Sequence, residues 1–184
     1  VDDWLPVVYV NSSAAIKAVC GRHGGSCCTS SNAAKVFEWA FAQGKRILFL
    51  PDEHLGANTA HDLGIPGEAV AIYDPLQPQG GLSDAEIAAA RVVVWKGFCI
   101  VHRAFTVEQV EQVREKLPGA KIIVHPESPK EVVRLCDAHG STAQIIDYVN
   151  AAADGEVIVI GTELNLVQRL AEQHRGRVDI KALK

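Results

Sequence analysis

The feature that most constrains this chain is an internal repeat. Ser30-Ser-Asn-Ala-Ala-Lys-Val-Phe-Glu-Trp-Ala40, followed by Gly44 and Ile47-Leu-Phe49, aligns without a gap on Ser141-Thr-Ala-Gln-Ile-Ile-Asp-Tyr-Val-Asn-Ala151, followed by Gly155 and Ile158-Val-Ile160. The offset is 111 residues at every matched position, from Ser30 and Ser141 to Ile47 and Ile158. Upstream, Val8-Tyr-Val-Asn-Ser12 matches Val124-His-Pro-Glu-Ser128 at a slightly different offset, because the first copy carries extra residues around Cys20–Ser26. Each copy reads as strand, polar tip, helix, Ser-led helix, Gly, strand. Repeats take precedence over motifs in such a reading, and the ungapped order marks a true internal repeat, so the chain is a tandem of two related α/β units, placed at residues 1–94 and 95–184.

The same alternation sets the fold class. Short β-branched runs at Pro6–Val10, Arg46–Leu50, Val92–Trp95, Ala120–Val124, Glu156–Ile160 and Val178–Ile180 alternate with segments of helical apolar spacing at Asn32–Ala42, Thr106–Lys116, Pro129–Ala138, Ala143–Ala152 and Glu163–His174. Strand–helix alternation predicts Rossmann-like βαβ units with parallel sheets. Gly44, Pro118-Gly119 and Gly140 stand where the first three helices should end. Gly64–Ala90 breaks the pattern: Ile72-Tyr-Asp-Pro-Leu-Gln-Pro-Gln-Gly-Gly81 is rich in Pro and Gly and lacks periodicity. It is expected to be an irregular excursion, a hinge or surface loop.

Composition narrows the function. The net charge is −4 with both signs interspersed, and no basic block or aromatic-rich basic stripe is present, which argues against a nucleic-acid surface. The longest apolar runs are strand-sized, far short of a bilayer span. No signal peptide is recognisable. The chain contains no Met, so Val1 is not expected to be a natural start. Five cysteines in no regular framework, Cys20, Cys27, Cys28, Cys99 and Cys136, predict a reducing compartment without structural disulfides. No C-x-x-C pair marks a complete zinc or haem site.

Ligands of open parallel sheets bind beyond the carboxyl ends of the strands. Tyr9, Val10 and Asn11 end the first strand of one copy; His125, Pro126 and Glu127 end its counterpart. Ser30 and Ser31 are expected to begin a helix in the first copy, as Ser141 and Thr142 do in the second. Helix N-termini attract carboxylates and phosphates, although Ser is also simply a good N-cap. Pro126 restricts its neighbours and so aims His125 and Glu127. An imidazole and a carboxylate together transfer protons near neutral pH, whereas the plainer reading of the tripeptide is a turn with a solvated Glu. Cys99, in Trp95-Lys-Gly-Phe-Cys-Ile-Val-His102, is compatible with core, nucleophile or metal ligand, and Gly97 beside it lets the backbone approach something closely. Asp52-Glu-His54 reads as helix-capping or surface.

At these residues the chain resembles quinolinate synthase, the iron–sulfur enzyme of NAD (pyridine nucleotide) biosynthesis. The matching pieces are Tyr9-Val-Asn-Ser-Ser-Ala-Ala-Ile-Lys-Ala18, Cys28-Thr-Ser-Ser-Asn-Ala33, Pro51-Asp-Glu-His-Leu-Gly56, Trp95 to His102, His125-Pro-Glu-Ser-Pro129, Gly140-Ser-Thr142 and Gly161-Thr-Glu163, in order along nearly the whole chain. The resemblance implies three related α/β domains about a pseudo-threefold axis, of which this chain holds the second and third. It implies a central [4Fe–4S] cluster held by one Cys per domain, with Cys99 the middle ligand. It implies a substrate pocket lined by Tyr9, Val10, Asn11, Ser30, His125, Pro126, Glu127 and Thr142, with Glu127, Tyr9 and His125 catalytic. The reaction implied is a transferase-type condensation of iminosuccinate with dihydroxyacetone phosphate, in the cytoplasm, with an L-aspartate oxidase or dehydrogenase supplying the first substrate.

The departure from the family pattern is large. A first domain, with a substrate His, a Ser and the first cluster Cys, is expected ahead of Val1, and the last cluster Cys beyond Lys184. One thiolate does not hold a [4Fe–4S] cluster, so the chain by itself is expected to be inactive. Two rival readings follow from the residues alone: a metal-free α/β module that binds dicarboxylates, and a cysteine-dependent enzyme pairing Cys99 with His102.

Overall fold

A computed structural model of the chain describes residues 3–184. The chain divides into two compact units, the first ending at Phe98 and the second beginning at Cys99, rather than at residues 94 and 95.

The first unit is a five-stranded, fully parallel sheet of β1 (Trp4–Tyr9), β2 (Ser26–Cys28), β3 (Arg46–Leu50), β4 (Val70–Tyr73) and β5 (Val92–Trp95) in the order β2-β1-β3-β5-β4. Its helices are α1 (Ala14–Arg22), α2 (Ala33–Ala42), α3 (Glu53–Asp62) and α4 (Asp84–Ala89). Successive strand residues face opposite sides of a sheet, so Leu5, Val7 and Tyr9 of β1 and Ile47 and Phe49 of β3 share one face with Phe37 of α2 and Leu55 of α3. The Phe37 and Phe49 rings, both fully buried, meet edge to face at 5.4 Å. Truncating either ring would cost about 3–5 kcal/mol.

The second unit is a four-stranded parallel sheet of β6 (Lys121–Val124), β7 (Ala138–His139), β8 (Val157–Gly161) and β9 (Asp179–Ala182) in the order β7-β6-β8-β9. Its helices are α5 (Val107–Lys116), α6 (Lys130–Leu135), α7 (Thr142–Asn150) and α8 (Leu164–Gln173). Ile123, Ile158 and Ile160 pack against α7 and α8, and Ile122, Val124 and Val159 against α5 and α6. This sheet is therefore covered by helices on both faces.

The repeat runs further than the sequence match. The offset of 111 carries β3 onto β8 and α3 onto α8 residue for residue. It carries the α3 cap, Asp52 accepting from the Leu55 N–H, onto the α8 cap, Glu163 accepting from the Leu166 N–H. Gly44 and Gly155 both have positive φ, at 68° and 83°, the left-handed conformation that glycine adopts without steric cost. The strand pairings also match, Val8 with Cys27 and Val124 with His139. Nineteen residues separate the first pair and fifteen the second. The extra residues of the first copy lengthen α1 relative to α6, by about one helical turn.

Several expectations need correction. Gly64–Ala90 is not an irregular hinge: β4 pairs along its whole length with β5, and α4 begins with a capping box between Ser83 and Glu86. The segment Pro129–Ala138 is helical only to Leu135, and Ala138–His139 is a strand, so Gly140 follows a strand and not a helix. Ser30 and Ser31 lie in the turn ahead of α2, whose N-cap is Asn32. Asn32 spends its side-chain oxygen on the N–H and hydroxyl of Thr29, so the helix starts later than the serines suggest.

Candidate functional site

The carboxyl ends of β6, β7 and β8 lead into His125-Pro126-Glu127, Gly140-Ser141 and Thr162-Glu163. The chain closes a turn around Pro126 and Glu127 with a hydrogen bond from the Ser128 N–H to the His125 carbonyl, and the His125 N–H donates to the Gly161 carbonyl of β8. Proline presets the backbone angle of such a turn. The tip is not solvated: His125 and Glu127 are 3% and 4% exposed.

A fourth element completes the cluster. His102 sits in a short 3-10 turn, His102–Ala104, ahead of α5, and is itself buried. Its ring stacks on that of His125, with centroids 4.2 Å apart and an interplanar angle of 15°. Its Nε2 lies 3.1 Å from the Thr162 hydroxyl, while its Nδ1 lies 3.0 Å from Glu127 Oε2. That second contact places a buried ring nitrogen directly against the carboxylate at ion-pair distance. His125 Nδ1 lies 3.2 Å from the same oxygen and also accepts from the Glu127 N–H at 3.3 Å. One nitrogen cannot donate and accept together, so the His125 tautomer decides which contact is a hydrogen bond.

The electrostatics follow from burial and from this ring of neighbours. Burial alone would push the Glu127 carboxyl up, but the His102 and His125 imidazoles outweigh it and hold the group down at about 2. Burial pushes the His125 imidazole below its ordinary value, with Glu127 offsetting part of that effect. At neutral pH the site thus holds an ionised carboxylate beside a neutral His125.

Cys99 opens the unit, with the Arg103 N–H bonded to its carbonyl. Its Sγ, a His102 ring nitrogen and a Glu127 oxygen all lie within 4.8 Å of one another, a set that could hold a metal ion. Cys20, Cys28 and Cys136 are poorer ligands. Cys20 bonds the carbonyls of Pro6 and Ser26, Cys136 bonds that of Val132, and burial holds both Cys28 and Cys136 up at about 12. The donor chemistry at Cys99 fits one thiolate ligand of an iron site. A cluster with several thiolate ligands needs further cysteines that this group does not contain.

Of the remaining sequence candidates, Ser141 caps α7 through a capping box with Gln144, and Thr142 is the exposed first residue of that helix. In the first unit Tyr9 is buried and its hydroxyl accepts from the Asn11 amide at 3.1 Å, while Val10 and Asn11 are exposed and Ser30 is half-buried. Gly97 makes its close approach to the Pro51 carbonyl, which a Cβ would meet at 2.2 Å. Sequence reasoning missed Thr162, although it stands inside the quoted Gly161-Thr-Glu163, and it weighed His102 only as a partner for Cys99.

Parallel sheets with titratable side chains gathered at the carboxyl ends of their strands define a class, the α/β proteins that handle small molecules at that edge. The particular family is given by comparison. The profile described as quinolinate synthetase A protein matches residues 1–183, and the chain belongs to that family. The quinolinate synthase of Corynebacterium glutamicum is 51% identical over 173 residues, covering 94% of this chain and 44% of the relative. That of Bacillus subtilis is 52% identical over 173 residues, covering 94% and 47%. That of Acidobacterium capsulatum is 51% identical over 169 residues, covering 92% and 45%. The chain spans less than half the length of these relatives. No described helix is long and apolar enough to cross a membrane.

Proposed function

We propose that this chain is the part of a quinolinate synthase that supplies Cys99 and the buried Glu127 site. The whole polypeptide would condense iminosuccinate with dihydroxyacetone phosphate in cytoplasmic NAD biosynthesis, with an L-aspartate oxidase or dehydrogenase upstream. The observation that carries the reading is the cluster of His102, His125, Glu127 and Thr162 beside Cys99. It gathers an ionised carboxylate, a neutral imidazole and a thiol ligand at the edge where this fold class binds substrates.

The roles follow from the groups themselves. Cys99 is a ligand of a [4Fe–4S] cluster whose other thiolates come from elsewhere in the polypeptide. When bound, a cluster with one open iron supplies a Lewis acid for a substrate oxygen. Glu127 accepts a substrate proton. A carboxylate held near 2 keeps that proton only briefly, and the neutral His125 at 3.2 Å can share it. His125 also orients or polarises a carbonyl, and Pro126 forms the wall between the two. Tyr9 is a second proton-transfer group, with Val10 and Asn11 beside it. Ser30 and Thr142, near the starts of α2 and α7, bind carboxylate or phosphate oxygens.

The decisive experiment reads iron and product separately. Full-length protein with Cys99→Ser should lose the cluster's visible absorbance and all quinolinate formation. The 184-residue chain reconstituted anaerobically should hold no stable cluster and make no product. A stable brown 184-residue protein with full iron and sulfide content would overturn the account of Cys99 as one ligand among several. Alkylation of Cys99 that abolishes activity in an iron-free sample would instead favour a Cys99–His102 nucleophile.

A further inference from the structure

The two sheets are covered differently on one face. In the second unit Ile122, Val124 and Val159 pack against Val110 of α5 and Val132 of α6, and none of the five is more than 1% exposed. In the first unit the same face is carried by Trp4, Pro6 and Val8 of β1 and by Leu48 and Leu50 of β3. The offset that carries β3 onto β8 places Leu48 on Val159, yet Leu48 is only half-buried. α1 stands against β1 and β2 as α6 follows β6, but among the described residues no helix precedes β1 as α5 precedes β6.

The result is an apolar groove of about 720 Å³ lined by Trp4, Pro6, Ile16, Val19, Leu48 and Leu50. Ile16 and Val19, on α1, are 37% and 45% exposed. Apolar residues contiguous along a groove mark a contact surface rather than ordinary scatter.

We infer that this groove seats an amphipathic helix that leads into β1 in the longer polypeptide, the counterpart of α5 leading into β6. The repeat argues for the occupant's place in the chain. α5 runs into β6 through only Leu117–Ala120, so a helix so placed cannot reach far from the strand it feeds. The repeat also argues for its chemistry: α5 presents Val107, Val110 and Val113 to the sheet, with Leu117 just beyond its end, at helical spacing. The relatives supply the length, since the chain covers only 44–47% of them. The inference rests on the repeat and on family membership, so it stands or falls independently of the activity proposed above.

The test uses the full-length polypeptide with a benzophenone amino acid in place of Ile16. After irradiation of the native protein and digestion, crosslinks should map to the about 15 residues immediately ahead of Trp4, the length of a helix like α5 with a short connection. Crosslinks to a second copy, or to any other peptide of the chain, would overturn the assignment. A second measurement guards against a local effect of the probe: native-state alkylation of Leu48→Cys, resolved by peptide mapping, against Glu38→Cys on the exposed side of α2. Leu48→Cys should react about 100-fold more slowly, as expected of a site that must open first, and at a rate independent of protein concentration. Equal rates would mean an open groove, and protection that fades on dilution would mean a second copy.

Discussion

The carboxyl edges of the two sheets are built alike and furnished differently. At the end of β1 a neutral phenol accepts from a neutral amide, Tyr9 from Asn11, near the surface. At the matching end of β6 a carboxylate is buried between two imidazoles, with a threonine hydroxyl and a thiol close by. The scaffold is shared to the residue along β3 and β8. What differs is what leaves the strand end and what comes back to meet it. In the second unit a separate turn returns His102 over the edge, and that single side chain converts an ordinary polar tip into a coupled site. A parallel-sheet unit thus keeps its chemistry in a few loop positions, while the repeat preserves everything beneath them.

The comparison breaks most visibly in catalysis. Glu127→Gln in the full-length enzyme should lower kcat by about 10²- to 10⁴-fold, the usual span for a positioned proton-transfer group, with the cluster absorbance unchanged. Normal turnover would remove Glu127 as a base. Tyr9→Phe, which deletes only the hydroxyl at the other edge, should cost less, about tenfold, as for one hydrogen bond. An equal loss in the two variants would make Tyr9 as important to proton transfer as Glu127.

Acid should weaken the second unit through Glu127. Glu127 sits at about 2 in the fold against an ordinary 4.5. A depressed carboxyl stabilises the folded state above its unfolded value and loses that contribution as pH falls toward the folded one. The contribution is on the order of 3 kcal/mol. His125, pushed down by burial, adds in the same direction as protonation begins to favour the unfolded chain. Denaturant titrations between pH 5 and about 2 should therefore steepen the loss of stability relative to Glu127→Gln. Parallel curves would show that the carboxylate is not held as its neighbours imply.

Packing sets the next pair apart. Gly56 of α3 and Val167 of α8 are matched by the repeat, but a Cβ on Gly56 would come within 2.6 Å of both Phe49 and Val94. Gly56→Val should destabilise the first unit by about 1–3 kcal/mol through overpacking, measured by chemical denaturation. A neutral outcome would mean that Phe49 can move aside. The smallest effect should separate the caps. Asp52 is buried and Glu163 exposed, so Asp52→Ala should lower stability by about 1–2 kcal/mol and Glu163→Ala by a few tenths. Equal losses would show that burial does not strengthen this bond.

Much of the scaffold was legible because its signals are local. The runs of β3 and β5 match the observed strands at both ends, and the constant offset alone marks two units. The elements that escaped have physical reasons. β7 is two residues long, and β4 is a four-residue edge strand set between Pro66-Gly67 and Asp74-Pro75. α3 buries Leu55 with Gly56, Asn58, Thr59 and Ala60, one large apolar residue and no apolar stripe, so no helical periodicity betrays it. In the site, His125 and Glu127 were visible because one tripeptide carries both. His102 lies 25 residues from Glu127, and only the fold brings the two together; Thr162 lies further still.

The extra turn of α1 has a consequence for how this fold tolerates change. A helix returns to the same face after about 3.6 residues, so the three extra residues of α1, nine against six in α6, come within about 60° of a full turn. Two residues would swing the side chains that face the sheet round by roughly 200° and turn Cys20, buried against the Pro6 carbonyl, out into water. Length here is quantised by the pitch of the helix. The length difference between the copies in this helix is close to a whole turn, and β1 still pairs with β2 in parallel as β6 pairs with β7.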